Sequence, residues 1–249
     1  DRICYPRVVQ ERTEDKNAQN SFNCPIIIGY PDVVDSAITV KVPIDSPIVA
    51  FKNSKLLREQ MLVYFTTFGI KRNDILKAVD QAEKDWTKWG EELRRNNVIA
   101  LENARKKKRM TILLAGRPYH TDPLVQHRIS EMIAKLGVEV ITEEIARGGA
   151  VVLKSDTPEA FHIRQWSYVN RILNAAQWAA EQDNDVHFVE MTSFGCGPDA
   201  FLTDEIRSIL SRHGKSLTLL KIDDVNNIGS LKLRVRSLIN SLKYEYEAK

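Results

Sequence analysis

From Thr111 to Tyr246 strand-type and helix-type segments alternate, and no other feature of this chain restricts its fold as tightly. Thr111–Ala115, Val138–Ile141, Val186–Met191 and Ser216–Ile222 have the length and apolar content of buried strands. Pro123–Leu136, Phe161–Glu181, Asp199–Arg212 and Ser230–Tyr246 carry apolar residues at helical spacing between and after them. Strands joined through helices run parallel, so the alternation predicts one parallel sheet covered by helices on both faces. Ile112, Leu113, Val140, Phe188, Val189, Leu219 and Leu220 are expected in that sheet, which makes residues 108–249 a flavodoxin-like α/β domain.

Residues 1–107 read differently, as a smaller portion of short strands followed by a long helical section. Pro6, Pro25, Pro31, Pro43 and Pro47 separate short apolar runs at Ile3–Val9, Pro25–Ile28 and Ile38–Val42, a pattern that predicts short strands joined by ordered loops. Lys55–Phe68 and a long segment from Asn73 to Arg105 have helical periodicity. In the latter, Ile75, Leu76, Val79, Ala82, Trp86, Trp89, Leu93 and Ile99 lie on or near one stripe, which assigns both tryptophans to the core.

The chain has 249 residues and a formal net charge of +3, too small a surplus to point to nucleic acid or an anionic membrane. The run Arg105–Arg109 opposes the negative pole of the helix it ends. No apolar stretch reaches spanning length and no secretion leader is visible, so a cytoplasmic protein is expected. The start at Asp1, inside a strand-like run, leads one to expect a longer parent polypeptide. Three cysteines, Cys4, Cys24 and Cys196, do not make a disulfide framework in a chain of this size; reduced thiols or metal ligands fit better.

Two loops at carboxyl ends of the expected strands carry the chemistry. Thr192-Ser-Phe-Gly-Cys-Gly-Pro-Asp-Ala200 sets Cys196 between Gly195 and Gly197 at a strand-to-helix turn. The glycines permit backbone angles that side chains forbid, Pro198 suits a first helical turn, and Asp199 complements the positive end of the dipole. Backbone amides there would face whatever Cys196 holds and stabilise a thiolate or an anionic cluster; a small residue buried in a tight turn is the competing reading. In Gly116-Arg-Pro-Tyr-His-Thr-Asp-Pro123, Arg117 is suited to pairing with a phosphate or carboxylate, and His120 to donating a proton or binding a metal. Asp122 before Pro123 equally describes a capped loop at a helix start. Dinucleotide and P-loop fingerprints, Cys-x-x-Cys and His-Glu-x-x-His are all absent from the sequence.

Asn23-Cys-Pro-Ile-Ile-Ile-Gly-Tyr-Pro-Asp32, Gly116-Arg-Pro-Tyr-His-Thr-Asp-Pro123 and Phe194-Gly-Cys-Gly-Pro-Asp-Ala200 together resemble the activase-related proteins of the 2-hydroxyacyl-CoA dehydratase system, the CoA-substrate-specific enzyme activase family. The likeness runs over nearly the whole chain. It implies a dehydratase-like, cluster-binding segment of the kind that follows an ATP-binding activator region in long polypeptides, and not the ATPase itself. It further implies that cysteines from separate loops, Cys24 and Cys196 with Cys4 as the remaining thiol, hold a 4Fe-4S cluster that oxygen readily destroys. The implied partners are the ATP-binding activator region, in the same or another chain, and an acyl-CoA thioester. Arg117, Gly195 and Gly197 would lie against the cofactor, with His120 as the catalytic group.

The chain departs from the family pattern where a cysteine is expected directly after the proline of the first segment: Arg7 follows Pro6, and Cys4 stands three positions earlier. Because strand side chains alternate, that displacement reverses the face as well as the depth of the thiol. Three functions follow as expectations: an iron-sulfur electron-transfer or dehydratase-like component, a non-enzymatic docking domain that has lost the cluster, and a zinc site using Cys24, Cys196 and His120.

Overall fold

The computed structural model describes residues 1–14, 18–148, 164–192, 195–222 and 228–247. Residues 161–163, Ser193 and Phe194, which enter the readings above, lie outside the described residues. The chain divides into two compact units, Asp1–Gly90 with Arg164–Ser167, and Glu91–Ile163 with Tyr168–Lys249.

In the first unit, β1 (Ile3–Cys4) pairs in parallel with β3 (Ile44–Asp45), and β2 (Arg7–Gln10) with β4 (Ile48–Ala50). Two of the expected strands are not there. Pro25–Ile28 opens helix α1 (Pro25–Ala37), and Ile38–Val42 is irregular. Cys24 is extended (φ −58°, ψ 134°), the conformation favoured before a proline, and Pro25 at the helix start has no N–H that a helical bond would need. A short apolar run has no period of its own, so the proline decides its conformation.

Helix α2 (Ser54–Thr66) is capped by Asn53, whose Oδ1 accepts from the backbone N–H of Lys55 at 2.8 Å and of Leu56 at 3.3 Å. Leu57 joins Val49 of β4 and Ile75 and Val79 of α3 (Arg72–Lys106) in a small core, with Phe51, Met61, Leu62 and Phe65 packed against it. The core assignment of the tryptophans fails. Trp86 and Trp89 are 43% and 49% exposed, and Ile99 is also exposed. At 35 residues α3 is about 52 Å long, more than a small core can cover, so a continuous apolar stripe does not imply continuous burial.

The second unit holds the four-stranded sheet, with strands β5 (Thr111–Ala115), β6 (Glu139–Thr142), β7 (Val186–Thr192) and β8 (Thr218–Lys221) in the order β6-β5-β7-β8, all parallel. The α/β expectation holds, down to all seven residues named for the sheet. Every residue of β5 is buried, as a central strand covered on both faces requires. Ile112 and Leu114 of β5 and Val189 and Met191 of β7 meet Ile129 and Ile133 of α4 (Ile129–Lys135) and Val235, Ile239 and Leu242 of α7 (Ile228–Glu247). Ile172 and Leu173 of α5 (Ser167–Ala180) and Leu202 and Ile206 of α6 (Gly197–Ser211) are fully buried.

Pro123 does not start a helix as expected. Residues 123–128 form turns, and α4 begins only at Ile129, after His127 and Arg128 adopt left-handed angles (φ 51° and 58°). Asp122 does accept from the N–H groups of Leu124 (2.8 Å) and Val125 (3.2 Å), so the capping chemistry was sound, but the left-handed pair breaks the helix before it can propagate. No helix among the described residues is long and apolar enough to cross a membrane.

Candidate functional site

β5 and β7 are neighbours, and the chain's connections lead outward from them in opposite directions. In open parallel sheets this switch point leaves a crevice at the carboxyl ends of the strands. The loops after β5 and β7 bring Arg117, Tyr119, His120, Thr192, Cys196 and Asp199 together there.

After β5 the chain passes Gly116 and makes a 3-10 turn at Pro118–Thr121. A Cβ at Gly116 would stand 3.0 Å from Cβ and Nδ1 of His120 and 3.2 Å from Cβ of Met191, so only glycine lets the loop fold back on β7. The Arg117 backbone N–H donates to Nδ1 of His120 at 3.2 Å, and the imidazole also hydrogen-bonds the Met191 backbone. Burial pushes the ring's pKa down to about 4, so it is neutral. With Nδ1 accepting from the Arg117 backbone and the ring also bonded to the Met191 backbone, the neutral His120 braces the loop.

After β7, Gly195 has φ +76° and Cys196 stands extended as N-cap of α6, with proline in the first turn. The Arg117 guanidinium, buried at the centre, joins the two loops. Nη2 donates to Cys196 Sγ at 2.8 Å and pairs with Asp199 Oδ1, and Nη1 donates to the Tyr119 hydroxyl at 3.0 Å. The other carboxylate oxygen of Asp199 accepts from Thr192 Oγ1 at 2.7 Å. Burial disfavours the guanidinium charge, but Asp199 and Tyr119 outweigh it and hold the Arg117 pKa above its ordinary value. Burial raises that of Tyr119, against the pull of Arg117. Cys196 thus has a cationic donor on its sulfur, the partner suited to a thiolate or to a sulfur bound in an anionic centre.

Two acids at this edge were not anticipated. Glu190 of β7 is 1% exposed, and burial, then the Asp199 charge, push its pKa up to about 8; Thr203 Oγ1 donates to it at 3.3 Å. Glu143, just past β6, is pushed up to about 8 by burial and by Glu144, against Arg171 at 3.6 Å. A glutamate inside the apolar run of β7 was the sequence signal for the first. The sequence sets Asp199 only against the helix dipole, and Thr192 and Tyr119 carry no signal beyond their place in the two motifs.

The other thiols belong to the first unit. Cys24 caps α1 with no side-chain cap bond. Cys4, exposed in β1, lies opposite Asp45 of β3, and the Tyr64 hydroxyl interacts with both residues, donating to Asp45 at 3.0 Å. Arg7, in the place of the expected cysteine, pairs with Asp32 of α1. Among the described residues no three His, Cys, Asp or Glu side chains are grouped to hold a metal ion.

A protein-family model described as the CoA enzyme activase uncharacterised domain matches residues 1–145 of the 249. The chain belongs to this family. The match takes in the whole Gly116–Pro123 loop and ends before the cysteine turn, so membership of the activase family covers one arm of the site and geometry alone supplies the other. No curated protein and no solved structure matches the chain.

The thiols of this activase-family chain suit an iron-sulfur cluster in type. None of the three is in a disulfide, Cys24 has no capping bond to give up, and apart from chain neighbours no atom of the described residues lies within 4 Å of a Cβ built on Gly195 or Gly197.

Proposed function

We propose that this chain is the iron-sulfur component of a CoA enzyme activase system, holding a 4Fe-4S cluster through Cys24 and Cys196 and taking electrons from an ATP-binding activator region. The observation that carries the reading is the buried Arg117 donating to Cys196 Sγ at 2.8 Å, at the switch point of a parallel sheet. A cluster so held supplies low-potential electron transfer to an acyl-CoA thioester. Cys24 and Cys196 contribute thiolates, and the backbone at Gly195 and Gly197 gives the cluster room. Arg117 offsets negative charge at the sulfur and is itself held by Asp199, which Thr192 orients. His120 has a positioning role, fixing the Arg117 backbone. Cys4, in contact with Tyr64, is the weakest candidate among the three thiols.

Protein purified without oxygen should be brown and contain iron and acid-labile sulfide. Cys196→Ala should abolish iron binding, Cys24→Ala should abolish or sharply lower it, and Cys4→Ala should change it least. The arginine at position 7 favours a second reading, a docking domain of the activase system without a cluster, since the thiol expected there is replaced by an ion pair with Asp32. A parent protein free of iron under reducing, iron-replete conditions decides for that second reading.

A further inference from the structure

Ile75, Val79, Ala82, Trp86, Trp89 and Leu93 follow one another along α3 at alternating spacings of four and three, the seam of a helix that packs lengthwise against another helix. The first two are buried in the first unit's small core. Ala82, Trp86 and Trp89 are exposed and Leu93 is half-buried, and the two indoles are packed against each other with ring centroids 5.5 Å apart. Phe51 stacks on Trp86 at 6.3 Å and 7°, so the outer face of this aromatic pair is braced from the side.

Three observations say what fits there. Gly90 stands in the interior of α3 on one flank of the seam, and beyond its chain neighbours and its own helix backbone no atom of the described residues lies within 4 Å of a Cβ built on it. A glycine at such a site weakens its own helix and serves no packing need of the described residues, but it lets a second backbone come close to Trp86 and Trp89. On the other flank, Asp85 and Glu92 precede Trp86 and Leu93 by one residue, both are exposed, and neither is in an ion pair among the described residues. On Gly90's own side the flank charge is Glu83, which pairs with Arg12 and Arg58. Two antiparallel copies of this seam would bring Asp85 and Glu92 against each other, which disfavours that self-association, and two unpaired acids on one flank favour a partner with basic flanks.

We propose that the Trp86–Trp89 face of α3 is a docking seam for an amphipathic helix of another protein segment that carries lysine or arginine beside its apolar stripe. The indoles supply the apolar anchor, since paired aromatic side chains dominate the binding energy of such contacts, and Asp85 and Glu92 set the charge preference. This surface is independent of any cluster, and iron-free protein should bind as well as iron-loaded protein.

The test uses the full chain and two synthetic amphipathic peptides of about 20 residues, alike in their leucine seam, one with lysine and the other with glutamate at the flanking positions. The lysine peptide should bind with a blue shift of tryptophan fluorescence and weaken as salt rises, and the glutamate peptide should bind far less. Trp86→Ala/Trp89→Ala should weaken the lysine peptide by ~30-fold or more. Asp85→Lys/Glu92→Lys, two surface changes that leave the fold intact, should reverse the preference between the peptides. The proposal is overturned by binding of neither peptide, by equal binding of both, by a preference that survives the charge reversal, or by a wild-type dimer that the tryptophan variant dissociates.

Discussion

The two cysteine neighbourhoods with the clearest loop settings, Cys24 in the first unit and Cys196 in the second, are built in opposite ways. Cys24 stands before a proline-started helix with no side-chain cap bond, held only by backbone geometry. Cys196 is fixed by a buried charged network in which Arg117 serves the sulfur, Asp199 and Tyr119 at once. The difference lies in the scaffolds. A central parallel strand ends with both faces covered, so a loop leaving it can bury polar groups only by pairing them, whereas α1 rests on short two-stranded ribbons and keeps most of its surface in water. The sheet edge is therefore stiff and sensitive to single substitutions, and the Cys24 turn is the adaptable one.

The sharpest way to break this comparison is to remove the central cation. Arg117→Met leaves Asp199 buried without its partner and should destabilise the protein by about 3–5 kcal/mol in denaturant unfolding. Adding Asp199→Asn should recover part of the loss, while the corresponding removal of an exposed pair, Arg7→Met, should cost less than about 1 kcal/mol. Equal losses at Arg117 and Arg7 would sink the contrast between the two neighbourhoods. Next in size is the core beneath the edge: Leu113→Ala, at a fully buried position of β5, should destabilise by about 2–5 kcal/mol.

A smaller effect sharpens the comparison through pH. Glu190 and Glu143 hold their protons up to about pH 8 in the folded chain, against an ordinary value of 4.5. The stability they contribute is complete below 4.5 and is lost as the pH rises toward 8. His120 works in the opposite sense, its contribution present above 6.5 and lost as the pH falls toward 4. The melting temperature should thus fall as the pH rises from 4.5 to about 8, and Glu190→Gln should flatten that decline by a few degrees; an unchanged profile would show that the carboxyl does not titrate as its burial demands. The smallest change is Gly90→Ala, expected to raise stability by up to about 1 kcal/mol, because beyond its own helix the added methyl meets no atom of the described residues within 4 Å and favours the helix.

Much of the second unit was legible in the sequence, because strand and helix periods and turn chemistry are local. Seven named sheet residues fall in one parallel sheet, and the glycine-cysteine-glycine turn leads from β7 into α6. The first unit was less legible for the same reason turned round. Pro25–Ile28 is too short to show a period, and the residue that settles it as helix is the proline at its head. The Trp86–Trp89 stripe has the right period for burial but lies on a helix longer than the core beside it.

Residue type and spacing by themselves determined the parallel sheet, the two loops at its carboxyl edge and which side chains those loops contain. Only the tertiary structure decided what each side chain does. It tied His120 to the Arg117 and Met191 backbones and bound Arg117 to Cys196 and Asp199, partners 79 and 82 positions away. It also left two tryptophans of a core-like stripe in solvent. The physical reason is range: periodicity and capping act within a few residues, while burial, charge pairing and hydrogen-bond saturation depend on which distant segment comes to lie alongside.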